Sequence, residues 1–153
     1  MKHLIFILTI FVLVIMTSCK KFPDLGKGYK LEYNSRGDIG IVNSVNSYLV
    51  YGHILEYTFD STFILVAERP RDSIQECTGT IPGMTAKKCN EAFEKSTFLQ
   101  YWIINKKEKS EYSLDTLAEL ARYSNVYGPF KEDEFLVKRK ELGVPDKLKF
   151  TSK

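Results

Sequence analysis

Histidine and cysteine, the side chains most used for nucleophilic and metal chemistry, are scarce here: two histidines and three cysteines in 153 residues. A Ser-His-acid arrangement would depend on His53, because His3 lies in a predicted leader that is removed. No G-x-S-x-G motif accompanies His53, so we interpret it as a partly exposed strand residue. One histidine with scattered carboxylates also lacks the spacing of a metal site. The sequence predicts no catalytic residues, no metal and no cofactor.

Carboxylates leave one enzymatic interpretation open. A pair of acidic side chains across a cleft could act in hydrolysis, and separations of about 5–10 Å are typical of such pairs. The acidic residues on or near predicted strands are Glu32, Asp38, Glu56, Asp60 and Glu68.

The overall charge argues against a nucleic-acid-binding function. With 22 basic against 19 acidic residues the net charge is +3, which is too even for a protein devoted to nucleic acid.

Aromatic residues are abundant, with nine tyrosines and ten phenylalanines. Tyrosine is common at recognition surfaces, where it supplies contact area and a polar tip, and it is also common in strands. We take Tyr57, Tyr101 and Tyr127 as candidate binding residues for a protein partner of unknown identity.

The N-terminus reads as a lipoprotein signal. Lys2 and His3 precede an apolar run from Leu4 to Met16, which is too short to span a bilayer as a helix. Met16-Thr17-Ser18-Cys19 resembles the bacterial lipobox, whose cysteine is acylated, with palmitate among the chains, and becomes the first mature residue. The alternative is a cysteine that merely follows a signal peptide. Two or three acyl chains make anchoring firm, whereas a single chain is marginal.

Segment boundaries and cellular address follow from this signal. We predict a signal peptide over 1–18, a lipid anchor and tether over 19–28, and a single domain over 29–150. Lys20 and Lys21 follow the cysteine, with no aspartate directly after it. By resemblance to known sorting signals, this favours an anchor in the outer membrane that faces the periplasm.

Alternating and β-branched runs predict strands in the first half of the domain. They cover Tyr29–Tyr33, Ile39–Val42, Tyr48–Tyr51, His53–Phe59 and Thr62–Ala67. A two-residue loop at Asp60-Ser61 would pair Tyr57 with Ile64 and Leu55 with Val66. Asp-Ser is a poor tight-turn pair, so a longer loop with a shifted register is the alternative.

The second half mixes strand and helix. Phe98–Asn105 is apolar on both alternating sets, which is typical of a strand inside a sheet. A leucine stripe predicts a short helix over Ser113–Arg122. Gly128-Pro129 breaks the chain. The closing helix has acidic residues in its first turn, basic residues in its last turns, and Gly143 and Pro145 after it.

An insertion over 71–96 interrupts this pattern. It contains Cys77 and Cys89, and a helix over Ala86–Lys95 capped by Thr85. Outside the cytoplasm the two cysteines should form a disulfide, which would destabilise the unfolded chain by roughly 3 kcal/mol. A redox-active or metal-binding pair is the alternative, but the spacing is not C-x-x-C.

Three motifs resemble a family of small, uncharacterised bacterial lipoproteins. They are Leu25-Gly26-Lys27-Gly28-Tyr29, Tyr101-Trp102-Ile103-Ile104-Asn105, and Val126-Tyr127-Gly128-Pro129-Phe130 running on to Lys138-Arg139-Lys140-Glu141-Leu142-Gly143. The resemblance covers most of 25–145 but not the insertion. Asn105 stands where an acid is usual and Lys131 where a helix-capping hydroxyl is usual. The resemblance implies the fold and the cellular location of the protein, but it implies no activity.

Together these observations predict an α+β fold, with an antiparallel sheet of about five strands and two or three helices packed against it. The expected function is a non-enzymatic, membrane-anchored protein-binding module, such as an inhibitor or immunity protein. An envelope-maintenance or assembly lipoprotein is the alternative, and a carboxylate-dependent hydrolase is a further one.

Overall fold

The computed structural model describes residues 22–35, 37–70, 85–115 and 120–151. These ranges form an α+β structure with two four-stranded antiparallel sheets, a two-stranded hairpin and two helices. The first sheet has the order β1-β2-β3-β4, with β1 at Asp24–Gly26, β2 at Tyr29–Tyr33, β3 at Ile39–Val42 and β4 at Tyr48–Val50.

The second sheet has the order β10-β7-β6-β5. Its strands are β5 at His53–Phe59, β6 at Phe63–Arg69, β7 at Gln100–Asn105 and β10 at Val126–Phe130. The separate hairpin comprises β8 at Tyr112–Asp115 and β9 at Leu120–Tyr123. The helices are α1 at Ala86–Lys95 and α2 at Glu132–Glu141.

Two hydrophobic cores lie on opposite faces of the second sheet. The inner core fills the space between the two sheets, and its buried residues include Leu25, Leu31, Ile41, Val50, Ile64, Val66 and Ile104. The outer core lies under α2 and the segment after it, and it contains Phe63, Leu65, Ile103, Phe135, Val144 and Leu148. The strands of the second sheet are therefore apolar on both faces because each face is covered.

This division corrects the prediction of one sheet with about five strands. The alternating pattern of a strand shows which face is buried, but not which layer covers it. Since β2 and β6 each bury one face in the same inner core, two stacked sheets satisfy the pattern as well as one sheet does. The α+β class and the presence of packed helices are confirmed.

The strand β7 lies between β10 and β6, as its two-sided apolar pattern predicts. Ile104 faces the inner core and Ile103 the outer core, and both side chains are fully buried. Burying one such side chain contributes about 1.5–3 kcal/mol, so this strand is a main source of stability.

The β5–β6 hairpin has the longer loop of the two alternatives. Tyr57 pairs with Val66 and Phe59 with Ile64, so the tight two-residue register is wrong by two positions. Asp60 stabilises the loop because its Oδ1 accepts hydrogen bonds from the N–H of Thr62 at 2.6 Å and of Phe63 at 2.7 Å. A shift of two preserves which face each residue occupies.

The predicted helix over Ser113–Arg122 is wrong, because residues on either side of its centre form β8 and β9. Tyr112 pairs with Tyr123 across this hairpin, and their ring centroids are 5.5 Å apart. Helices this short are marginal without packing on a core, whereas an aromatic cross-strand pair stabilises a hairpin directly.

Two further strands occupy segments that were expected to be irregular. The tether was predicted to reach residue 28, but Asp24–Gly26 forms β1 and Leu25 is fully buried. Gly128-Pro129 was expected to break the chain, but it lies within β10 at the edge of the second sheet. Proline is tolerated at a sheet edge, where its missing N–H costs no ladder hydrogen bond.

The predicted starts of the two helices are confirmed. Thr85 caps α1, since its Oγ1 accepts a hydrogen bond from the N–H of Lys88 at 3.4 Å. At the start of α2, the N–H of Lys131 donates to Glu134 Oε2 at 2.9 Å, which is the glutamate half of a capping box. Among the described residues, no helix combines the length and apolar character that crossing a membrane requires.

Candidate functional site

The three predicted binding tyrosines do not form one site. Tyr57 is half-buried and packs against the inner core, whereas Tyr101 and Tyr127 pack against the outer core. The Tyr101 ring stacks on that of Phe135, with centroids 5.0 Å apart. The two groups therefore lie on opposite faces of the second sheet, and a shared binding role for all three stays a prediction.

Tyr127 has a distinctive electrostatic environment. Its hydroxyl donates to Glu108 Oε2 at 2.7 Å, and Lys138 Nζ lies 5.4 Å from its ring centroid. The hydrogen bond to the carboxylate, followed by burial, raises the pKa of Tyr127 to about 12. Because this folded-state pKa exceeds the ordinary value of 10.0, the contribution to stability is complete below pH 10 and is lost as pH rises through about 12.

We expect one phenol of the wild-type protein to ionise near pH 12 when the ultraviolet absorbance of phenolate is followed in an alkaline titration. The step should be absent from Tyr127→Phe and should move towards pH 10 in Glu108→Gln. Glu111→Gln changes a nearby exposed acid and serves as the control. A wild-type curve identical to that of Glu108→Gln would contradict the assignment.

Two buried carboxylates lie near the start of β5. Asp38 is 5% exposed, and its Oδ1 accepts a hydrogen bond from His53 Nδ1 at 2.9 Å. Glu68 is 4% exposed, and its Oε1 accepts from Trp102 Nε1 at 2.8 Å. A side chain at Gly52 would collide with the Glu68 carboxylate, so the glycine is required for this packing.

The hydrogen bond to Asp38 orients the His53 imidazole in the way that a general base is oriented. Within the described ranges, the His53 ring also contacts the ring of Phe93. The two ring centroids are 5.4 Å apart and the ring planes are nearly perpendicular. Neither contact supplies a hydroxyl or thiol nucleophile. As predicted, His53 is a partly exposed strand residue, and its side chain is 33% exposed.

Two of the carboxylates suggested for hydrolysis, Glu56 and Glu68, lie on opposite faces of the second sheet. Glu68 shares its face of the second sheet with the inner core, together with Val66. A bulge between Ile54 and Glu56 turns Glu56 towards the other face, opposite Ala67. The structure therefore does not bring Glu56 and Glu68 together. Within the ranges that the structure describes, no group of three or more potential ligands could hold a metal ion.

Sequence reasoning missed the exposed edge of β5. The strand has seven residues and pairs only with β6 among the described strands. Leu55 and Phe59 are 40% and 38% exposed. No local signal could have placed β5 at an edge, because strand order depends on pairings between distant segments.

Some backbone groups of this edge point away from β6. Because Asp60 N–H donates to Phe63 O at 3.0 Å, antiparallel alternation makes Thr58 and Leu65 a hydrogen-bonded pair. Tyr57 and Phe59 then direct their backbone N–H and C=O groups away from β6. Such a row of groups can accept an additional strand from another chain.

The predicted cysteine sites lie mostly outside the described residues. Cys89 is half-buried in α1 and is disulfide-bonded. Both of the other cysteines, Cys19 and Cys77, lie outside the described ranges. The Cys77–Cys89 pairing and the acylation of Cys19 therefore stay predictions.

The described fold defines an α+β protein in which two stacked sheets and a C-terminal helix enclose two cores. A family model described as "Protein of unknown function (DUF3997)" matches residues 26–153, and the chain belongs to this family. The match confirms the resemblance to an uncharacterised family and spans the insertion as well. No curated protein and no solved structure matches the chain.

Proposed function

We propose that the chain is a non-enzymatic protein-binding module, held at the periplasmic face of the bacterial outer membrane by acyl chains on Cys19. Its recognition element is the free edge of β5, which pairs with an extended segment of a partner protein. An inhibitor or immunity protein that neutralises a toxin in the cell envelope is the form of this function that we favour.

The exposed edge of β5 carries the proposal. It offers outward backbone groups at Tyr57 and Phe59, and side chains at Leu55 and Phe59 that are partly exposed. Backbone groups give a strand-addition site its affinity, and alternate side chains give it specificity. Natural edges are usually blunted by charge, proline or a bulge; β5 has a bulge at Leu55 and one acidic residue, Glu56, but no proline.

The opposite edge strand of the second sheet, β10, is protected against strand addition. β10 contains Pro129, and its pairing with β7 shifts register between Tyr127 and Phe130. Proline and an irregular ladder both oppose strand addition. A partner strand would therefore add at β5 rather than at β10.

The test is photo-crosslinking in intact cells, with a benzophenone amino acid at Leu55 and, as control, at Val137, which is 59% exposed on α2. We expect a discrete adduct with one protein at position 55 and none at position 137. Mass spectrometry identifies the partner, and a secreted toxin or a resident assembly protein would distinguish the inhibitor from the envelope-maintenance alternative.

A pair of variants isolates the backbone contribution. Phe59→Pro removes both the ring and the outward N–H, whereas Phe59→Ala removes the ring alone. We expect Phe59→Pro to weaken crosslinking about tenfold more than Phe59→Ala, since one interface hydrogen bond contributes about 1 kcal/mol and the strand must also approach the proline ring. Equal effects, or equal adducts at positions 55 and 137, would rule out strand addition at β5.

A further inference from the structure

An aromatic surface lies at the end of the first sheet nearest the described N-terminus. We call Phe22, Tyr33, Tyr48 and Tyr51 the aromatic patch. The Phe22 and Tyr33 ring centroids are 4.9 Å apart, and those of Tyr48 and Tyr51 are 5.0 Å apart. Tyr48 joins the two pairs, because its hydroxyl donates to the backbone oxygen of Tyr33 at 3.0 Å.

Two of the four rings in the aromatic patch are exposed to solvent. Tyr33 is 60% exposed and Tyr51 is 53% exposed. Gly40 lies beneath the Tyr48 ring, and a side chain there would come within 2.8 Å of Tyr48 Cε1. The Tyr48 ring is therefore held against the sheet, and Phe22 is held by its packing against the inner core.

The patch lies close to the predicted anchor. Phe22 is three residues after Cys19, and three residues span at most about 11 Å. Because β1 begins at Asp24 and buries Leu25, the chain after Phe22 cannot act as a longer tether. If Cys19 carries acyl chains, they enter the bilayer within about 11 Å of the Phe22 backbone.

The chemistry of the patch fits a lipid interface. Tyrosine is enriched where the apolar ring meets hydrocarbon and the hydroxyl meets headgroups. Lys20 and Lys21 lie between the anchor and the patch, and basic residues near an anionic membrane surface are attracted to it. A protein partner is a weaker interpretation of the patch, because a bilayer would already occupy the space beside it.

We propose that the aromatic patch rests on the lipid headgroups and fixes the orientation of the domain on the membrane. The inference depends on the proposed lipid anchoring. Tyr51 comes two residues before β5, so the patch lies next to the His53 end of the proposed recognition edge.

The experiment uses the mature acylated protein in vesicles of phosphatidylethanolamine with a minor fraction of phosphatidylglycerol. A nitroxide is attached at Tyr51→Cys and, as matched control, at Tyr112→Cys, which replaces a tyrosine that is 58% exposed on the β8–β9 hairpin. Electron paramagnetic resonance measures collisions with a water-soluble nickel chelate. We expect vesicles to lower accessibility about threefold or more at position 51 and to leave position 112 unchanged.

The outcomes separate the two proposals. Intact mass measurement and flotation establish whether Cys19 is acylated and whether the protein binds vesicles. An unmodified chain that does not float overturns the anchoring and this inference together. A floating, acylated protein with equal accessibility at positions 51 and 112 overturns only the orientation. Shielding of position 51 that appears only after envelope proteins are added would identify the patch as a protein interface and also overturn it.

Discussion

Gly128→Ala is expected to lower the free energy of unfolding by about 4 kcal/mol. Gly128 has φ +135°, a conformation that side-chain-bearing residues rarely adopt. A Cβ there would lie 2.8 Å from both the backbone oxygen of Tyr101 and Cε3 of Trp102. Since both neighbours belong to the central strand β7, neither can move without disturbing the two cores.

Gly143→Ala is the matched control for this prediction. Gly143 also has a positive φ, +67°, but an added Cβ has no heavy atom within 4 Å. We expect it to cost only about 1 kcal/mol, from the backbone alone. Urea unfolding followed by the fluorescence of the single tryptophan, Trp102, measures both variants. Equal losses would show that the contact with β7 is not responsible.

Lys106→Met is expected to lower the free energy of unfolding by about 2–3 kcal/mol. Lys106 is 6% exposed, and its Nζ donates to the backbone oxygens of Leu25, at 2.6 Å, and of Asp60. It thereby connects β1 of the first sheet to the β5–β6 loop of the second. Methionine keeps the apolar stem but leaves the buried Leu25 carbonyl and the half-buried Asp60 carbonyl without this donor, and unsatisfied buried acceptors are costly.

The neighbouring Lys107 provides a control, because its side chain is exposed. Lys107→Met should change stability by less than about 0.5 kcal/mol. A loss in Lys106→Met no larger than that in Lys107→Met would mean that the ammonium's desolvation offsets its hydrogen bonds.

Lys106 also predicts a pH dependence. Burial lowers the pKa of the Lys106 amine from its ordinary value of 10.5. Between the lowered pKa and 10.5 the unfolded chain binds more protons than the folded one, so this group's contribution to stability increases with pH in that window. The neutral amine can still donate. The stability difference between wild type and Lys106→Met should therefore be larger at about pH 10 than at about pH 7. A difference that shrinks would contradict the burial of this amine.

Local sequence patterns predicted much of the secondary structure. Alternation identified β2 and β5, whose bounds are Tyr29–Tyr33 and His53–Phe59. Thr85 marked the start of α1, and the charges of α2 marked both of its ends. These signals succeed because capping and face alternation involve residues a few positions apart.

The candidate site could not be predicted in the same way. The Glu68–Trp102 hydrogen bond joins residues 34 positions apart, and that of Lys106 to Leu25 joins residues 81 apart. Likewise, β5 lies at an edge among the described strands because β6 pairs with β7 on its other side. No residue of β5 encodes that position.

The sequence by itself determined the lipoprotein prediction, the α+β class and most strands, since each depends on short-range composition and periodicity. Only the tertiary structure decided that the strands form two stacked sheets, that Tyr112–Asp115 and Leu120–Tyr123 are strands, and that Tyr57 faces away from Tyr101 and Tyr127. The physical reason is that an apolar face requires burial but does not specify its partner. The choice among partners is made by packing between segments that are distant along the chain.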